Sequence, residues 1–406
     1  MINTDYVDDW RKSFIQSETT KCYFKNKPLS FNIVDNGIIL PFDDWNGGVF
    51  DSKHSFIECS RMYHKNGQYK GEKYDTYDDI VIYLGNMSNI WGHCLTDNLK
   101  YLWFLHTQKY LELKQQYPSI KLVYICSPSF HQIKNFNELL KLAGISSSQL
   151  NKIEKPSAYS KIIVPDPCIF LDYNYIDGNM GNKYYTREYI NLIDKLSEKI
   201  ESNTKYRNIY LSRSKLFLTI RDIGEKDIER SFKKHGFHVV YPEKLSLTQQ
   251  IALYKGAEHI ATTEGSIAHN AVFMSNGCKL TIIRKSDYLN SYQVIINQLK
   301  NLKVTYVDAH LSVFVNTLYP YGGPFFLYVN DNLIRYFNDS SLHNSFSTRK
   351  FLYYTKKCIE TGQTDNKVLS DSNYYKKLNE ELLSHKRLYT KIKRNLVSRI
   401  KSILHK

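Results

Sequence analysis

A chain of 406 residues with a net charge of +15 is long enough to divide its hydrophobic residues, 42% of the total, between two cores, and basic enough to favour an anionic partner. No stretch reaches the roughly 18 to 20 uninterrupted apolar residues that cross a bilayer, which argues against a transmembrane helix. The seven cysteines stand singly with no Cys-x-x-Cys pair, which argues against the common zinc and redox-dithiol motifs and fits free thiols in a reducing compartment. The opening MINTDYVDDW lacks the basic-then-apolar order of a secretory signal, so a cytoplasmic protein is expected.

In chain order, the short apolar runs Gly37–Pro41 and Asp79–Tyr83 read as strands separated by turn residues. Leu95, Leu99, Leu102, Trp103 and Leu105 recur at helical spacing and predict a helix over Asn89–Leu111. Lys121–Ile125 reads as a buried strand, Phe136–Ala143 as a helix ended by Gly144, and Lys161–Pro165 as another strand. A polar helix over Tyr185–Glu201 leads to a more regular alternation. Its strands are expected at Asn208–Ser212, Phe237–Tyr241, His259–Thr262, Lys279–Ile283 and Lys303–Val307, with helices at Glu225–His235, Leu247–Gly256 and Ser266–Met274. Such β-α repetition describes a Rossmann-like unit that binds ligands beyond the carboxyl ends of its strands. The tail at 374–406 carries apolar residues at helical spacing among Lys and Arg. Such a helix can lie on an anionic membrane surface, where each basic residue contributes about 1 kcal/mol.

Chemistry concentrates in two places. The run Ala261–Met274 leaves a strand, turns at Gly265 and enters a helix, whose first amides favour phosphate oxygens. Thr263, Glu264, Ser266, Ile267, His269 and Asn270 are the other candidates there for contacts to a phosphate-bearing ligand such as a nucleotide-sugar. Arg213 follows a strand on the same edge and can hold two phosphate oxygens, with Lys215 and Arg221 as second cations. Glu243, also on that edge, can accept hydrogen bonds from a ribose; Glu264, whose carboxylate would repel a diphosphate, is expected to face sugar hydroxyls or ribose. The other place is Asn86–Asn98, where His93 and Asp97 stand four apart and share a helix face. One of them can serve as a general base and the other as its orienting partner. Asn89, Trp91 and Asn98 beside them are the candidates for acceptor binding. The remaining histidines show no two-His-one-carboxylate spacing and no Asp-x-Asp motif has strand context, so no metal is expected.

The order Tyr-Leu-Ser-Arg213, then Arg221 with Glu225, Gly236-Phe with Glu243, the Gln249-Gln250 helix and Glu264-Gly-Ser-Ile-Ala-His-Asn-Ala-Val-Phe-Met274 resembles glycosyltransferase family 61 over about Asn208–Val307, and more weakly near His93. Where this chain has Glu264-Gly265-Ser266, members of that family commonly have His-Gly-Ala. The resemblance implies a GT-B-like α/β fold of two Rossmann-like domains facing a cleft, with the basic helical tail appended. Residues 1–200 would bind acceptor and carry the base, 201–320 would hold the nucleotide-sugar, and 321–406 would form a crossover segment and the tail. It further implies an inverting, metal-independent transfer from a nucleoside-diphosphate sugar, UDP-linked by expectation, to a glycan or lipid-linked glycan in bacterial capsule or surface-polysaccharide synthesis. A homodimer and docking at the inner face of the cell membrane are compatible with it. The alternatives are a non-catalytic scaffold of a polysaccharide assembly and, from charge and the 33 tyrosines, a nucleic-acid-binding protein, for which no RRM, KH, helix-turn-helix or zinc-finger pattern is present.

Overall fold

The computed structural model describes residues 1–43, 46–62, 66–131, 133–171, 175–176, 179–180, 183–216, 222–311 and 323–360. Arg221 and the 374–406 tail lie outside the described residues.

Two six-stranded sheets organise the chain. Across the first, the strands run Asn46–Phe50, Phe31–Asp43, Ser157–Pro165, Asp75–Met87, Lys121–Cys126 and Leu150–Lys152. The first two junctions are antiparallel and the other three parallel. Val81, Ile82, Tyr83 and Leu84 on the Asp75–Met87 strand are all fully buried. A continuous apolar run of this kind marks a strand covered on both faces.

The second sheet is wholly parallel, in the order Ile2–Tyr6, Lys303–Asp308, Lys279–Arg284, His259–Thr263, Asn208–Leu211 and His238–Val240. Five of these strands follow from the sequence pattern. The sixth comes from the far end of the chain, where Ile2 pairs with Val304 and Tyr6 with Val307. The helix Asp9–Thr20 then packs behind it, fastened by Arg11, which is 3% exposed and donates to Asp8, Asp287 and Asp308. One continuous apolar cluster includes residues from both sheets and their helices.

Two predicted helices differ in the structure. The expected Asn89–Leu111 helix is a series of short pieces: an α-turn at Trp91–Cys94, 3-10 turns at Asp97–Leu99 and Leu102–His106, and an α-helix at Gln108–Gln116. Thr96, at φ −126° and ψ −85°, leaves the helical region, and the Thr107 hydroxyl accepts from the Tyr110 amide to start a new helix. The run Leu102–Leu105 is buried all round, which removes the need for a one-sided stripe. The expected Ser266–Met274 helix is a six-residue 3-10 turn, Ala268–Phe273, with every side chain buried.

Candidate functional site

The first loop begins where the Asp75–Met87 strand ends. Asn98 is fully buried and clamps that loop, its amide oxygen accepting from the Ser88 amide at 2.9 Å and its nitrogen donating to the Ser88 carbonyl at 2.8 Å. Its polar atoms are therefore engaged inside the loop, and it holds the backbone in place of the acceptor contact expected for it. The single turn that follows brings the His93 ring nitrogen Nδ1 onto the Asp97 carboxylate oxygen Oδ2. Asp97 is 6% exposed, and its other oxygen accepts the Tyr292 hydroxyl. Burial alone would raise the Asp97 carboxyl, but the facing imidazole and the hydrogen bonds of His93 and Tyr292 hold it below its usual 3.8. Burial likewise pulls His93 down, and the adjoining carboxylate outweighs it and leaves the imidazole above 6.5. With Asp97 ionised, the neutral imidazole carries its proton on Nδ1, which leaves Nε2 as the basic nitrogen.

The second loop leaves the His259–Thr263 strand. Its register sets the neighbourhood: Thr263 pairs with Ile283, so two positions further Gly265 comes opposite Lys285. Gly265 adopts φ +110°, a conformation that side chains disfavour. A Cβ there would stand 3.4 Å from Lys285 Nζ and 4.0 Å from an Arg213 guanidinium nitrogen. Asp222 bridges the two cations, 3.2 Å from Lys285 and 3.6 Å from Arg213. Glu225 accepts from the Arg213 amide at 2.8 Å, and burial beside Asp222 pushes its carboxyl up to about 8. Glu264 is 3% exposed, so it sits under the turn instead of facing sugar hydroxyls or ribose. Burial raises it to about 7 against the pull of Arg284 and Lys285. With Glu225 and Glu264 inclined to stay protonated near neutrality, Asp222 is the carboxylate left against Arg213 and Lys285. The corner therefore sets two cations, Arg213 and Lys285, the second pulled down by its burial, against the Asp222 carboxylate, with little from a helix dipole, which the short 3-10 turn supplies poorly.

The two loops touch. Trp91 donates its indole N–H to Asn270 at 2.8 Å. A Cβ added to Gly92 would come within 2.9 Å of the Ser266 hydroxyl and 3.0 Å of the His269 ring, so backbone meets loop with no side chain between them. The helix Ser291–Leu299 braces both from behind. Asn290 caps it by accepting from the amides of Tyr292 and Gln293. Tyr292 then reaches Asp97, and Gln293 accepts from His269 Nδ1 at 2.8 Å. Burial drives His269 down to about 4, so it is a neutral bridge between loop and helix.

The structure thus brings His93, Asp97, Trp91, Ser266, His269 and Asn270 to one contact, beside a corner made by Arg213 and Gly265. Thr263 and Ile267 are buried beneath the turn. Lys215 lies 4.0 Å over the Tyr241 ring, and Glu243 is exposed on the Pro242–Lys244 turn beyond the edge strand. Neither pairs with a residue of the Gly265 turn. Asn89 meets His131 at 3.1 Å on the outer side of the first loop. Sequence reasoning missed Lys285, Asp222, Tyr292 and Gln293. Lys285 had a usable signal, since it follows the Lys279–Arg284 strand as Arg213 follows its own. Among the described residues, no group of three or more His, Cys, Asp or Glu side chains converges as metal ligands do.

A family model described as Glycosyltransferase 61 matches residues 91–281, a span that starts at Trp91 within the first loop and takes in His93, Asp97 and the Gly265 loop. The chain carries a glycosyltransferase family 61 domain. No curated protein matches it. As a glycosyltransferase, the protein binds a sugar donor and a glycan acceptor. Lys285 and Tyr292 lie past the matched span of the family 61 domain, and they close its cationic corner and its His–Asp pair from outside. No described helix is long and apolar enough to cross a membrane.

Proposed function

We propose that this family 61 glycosyltransferase is an inverting, metal-independent enzyme of GT-B-like layout that moves a sugar from a nucleoside-diphosphate donor to a hydroxyl of an acceptor glycan. The observation that carries the reading is the contact between the two loops, which sets a Tyr292–Asp97–His93 series, buried at Tyr292 and Asp97 and half-buried at His93, beside the cationic corner of Gly265, Arg213 and Lys285. His93 Nε2 takes the acceptor hydroxyl proton as that oxygen bonds to the anomeric carbon. Asp97 fixes the tautomer and stabilises the imidazolium that forms, as a buried carboxylate does for a catalytic histidine elsewhere. The bond to the diphosphate breaks on the opposite face of the sugar and its electron pair leaves with the diphosphate, so the configuration inverts. Arg213 and Lys285 meet the charge that develops on the leaving group, a task a divalent cation can perform in other enzymes. We infer a surface polysaccharide, such as a capsule, as the destination of the sugar, because the sequence resembles the members of family 61 that build such polymers.

Turnover against a panel of nucleotide-sugars, with chelator present and the product anomer read by NMR, tests this. His93→Ala is expected to lower kcat by about 10²- to 10⁴-fold while the thermal shift given by the donor nucleotide persists. Arg213→Ala and Lys285→Ala are expected to diminish that shift. Near-normal turnover by His93→Ala, or retention of configuration, would overturn the assignment.

A further inference from the structure

A cavity of about 440 Å³ opens between the helices Gln108–Gln116, Lys134–Leu142 and Arg187–Ser197, a volume in the range of small-ligand sites. None of its lining residues belongs to the His93 or Gly265 loops, and it does not depend on the transfer chemistry above. Its floor is aliphatic: Leu105, Leu122 and Leu196 are each under a tenth exposed, with Leu142 and Ile145 beside them. Its rim is cationic, with Lys114, Lys141, Lys195 and Lys199 around it and Glu198 as the one acid. Among the described residues, none of these four lysines has a carboxylate partner. Lysines on the neighbouring surface, Lys109, Lys121, Lys134 and Lys152, each have one. His106 also lines the cavity, and its Nε2 is buried without a hydrogen-bond partner.

We propose that this cavity is a binding site for a hydrocarbon-chain phosphate, with the chain on the leucine floor and the phosphate held by the lysine rim. The floor removes apolar surface from water and favours a chain over a compact ion. Four ammonium groups gathered at one mouth repel one another, and a dianion relieves that repulsion while accepting their N–H donors. The two halves together select an amphipathic anion over either part alone.

Titration calorimetry with decyl phosphate below its micelle concentration provides the test, with decanol, inorganic phosphate and decyltrimethylammonium as comparison probes. Saturable one-site binding of decyl phosphate is expected, weakened by added salt, with each comparison probe bound at least about tenfold more weakly. The exposed pair Lys141→Glu and Lys195→Glu together is expected to weaken decyl phosphate by about tenfold or more while leaving the circular dichroism melt unchanged. No saturable binding, inorganic phosphate binding as tightly as decyl phosphate, or undiminished binding by the folded double variant would each overturn the proposal.

Discussion

Both carboxylate oxygens of Asp97 are committed, one to His93 and one to Tyr292, and the pH dependence of the enzyme follows from that arrangement. The base must be neutral to accept a proton, and His93 is held above 6.5, so kcat/KM is expected to rise with pH through an apparent value above 6.5. Asp97→Asn removes the charge that raises the imidazole. Its profile is expected to shift to lower pH while kcat falls about 10²-fold or more. A wild-type limb below 6.5, or one unmoved in Asp97→Asn, counts against His93 as the base. The carboxyls near Gly265 have a separate consequence for stability. Glu264 at about 7 and Glu225 at about 8 hold protons in the folded state that the unfolded chain releases near 4.5. The folded state therefore binds more protons in that interval, and stability falls as pH rises. His259 and His269, both lowered to about 4, act in the opposite sense below 6.5. Between about pH 6.5 and 8 His93, held above 6.5, acts in the same sense as the carboxyls and Lys100, lowered to about 8, in the opposite one, so the carboxyl part is the part that the glutamine variants remove. The melting temperature is expected to decline across that range, and Glu225→Gln and Glu264→Gln should each flatten the decline in calorimetric scans. A slope that both variants leave unchanged would refute this origin.

At the scale of elements, the loop contact depends on two glycines for different reasons. Gly92 admits no Cβ because Ser266 and the buried His269 occupy the space, so Gly92→Ala is expected to push the loops apart and lower kcat with little change in donor binding. Gly265 is constrained by φ +110°, and Gly265→Ala is expected to cost about 1–3 kcal/mol and to weaken donor nucleotide in a thermal-shift titration. Reversal of these two signatures would show that the loops divide the work differently. The same elements show how far the sequence could be read. A parallel sheet gathers the carboxyl ends of its strands on one edge, which made Arg213 and Gly265 legible as neighbours. The His93–Asp97 pair was legible because an i,i+4 contact needs only one turn, and the single turn at Trp91–Cys94 provides it although the long predicted helix does not form. The partnership of Gly265 with Lys285 required the register Thr263 to Ile283, which no pattern along the chain encodes. Tyr292 reaches Asp97 across the molecule from the start of another helix, and a tyrosine at the head of an apolar helical run gives no sign of that.

At the scale of the whole molecule, the sheet that carries the Gly265 corner ends in a strand from the opposite terminus. The pattern Ile-Asn-Thr-Asp-Tyr is too short and polar to announce a strand, which is why the sequence reading passed over it. Its neighbours make it structural: Arg11 faces Asp287 and the buried Asp308, which Arg284 also contacts. Removing one partner of a buried charged network costs on the order of 3–5 kcal/mol. Deletion of residues 1–20 is expected to lower the melting temperature sharply or to leave the protein insoluble, because it also bares the Lys303–Asp308 edge. A truncated chain that melts like the full one would show that the strand is dispensable.

The same pairing imposes an order on synthesis. Ile2–Tyr6 leaves the ribosome before any of the strands it joins, and its partner Lys303–Asp308 is the last of them to be translated. Until then the early segment has no sheet to complete, and Trp10 and Phe14, exposed even in the finished fold, travel with it. The parallel sheet can therefore be completed only after residue 308 has been made.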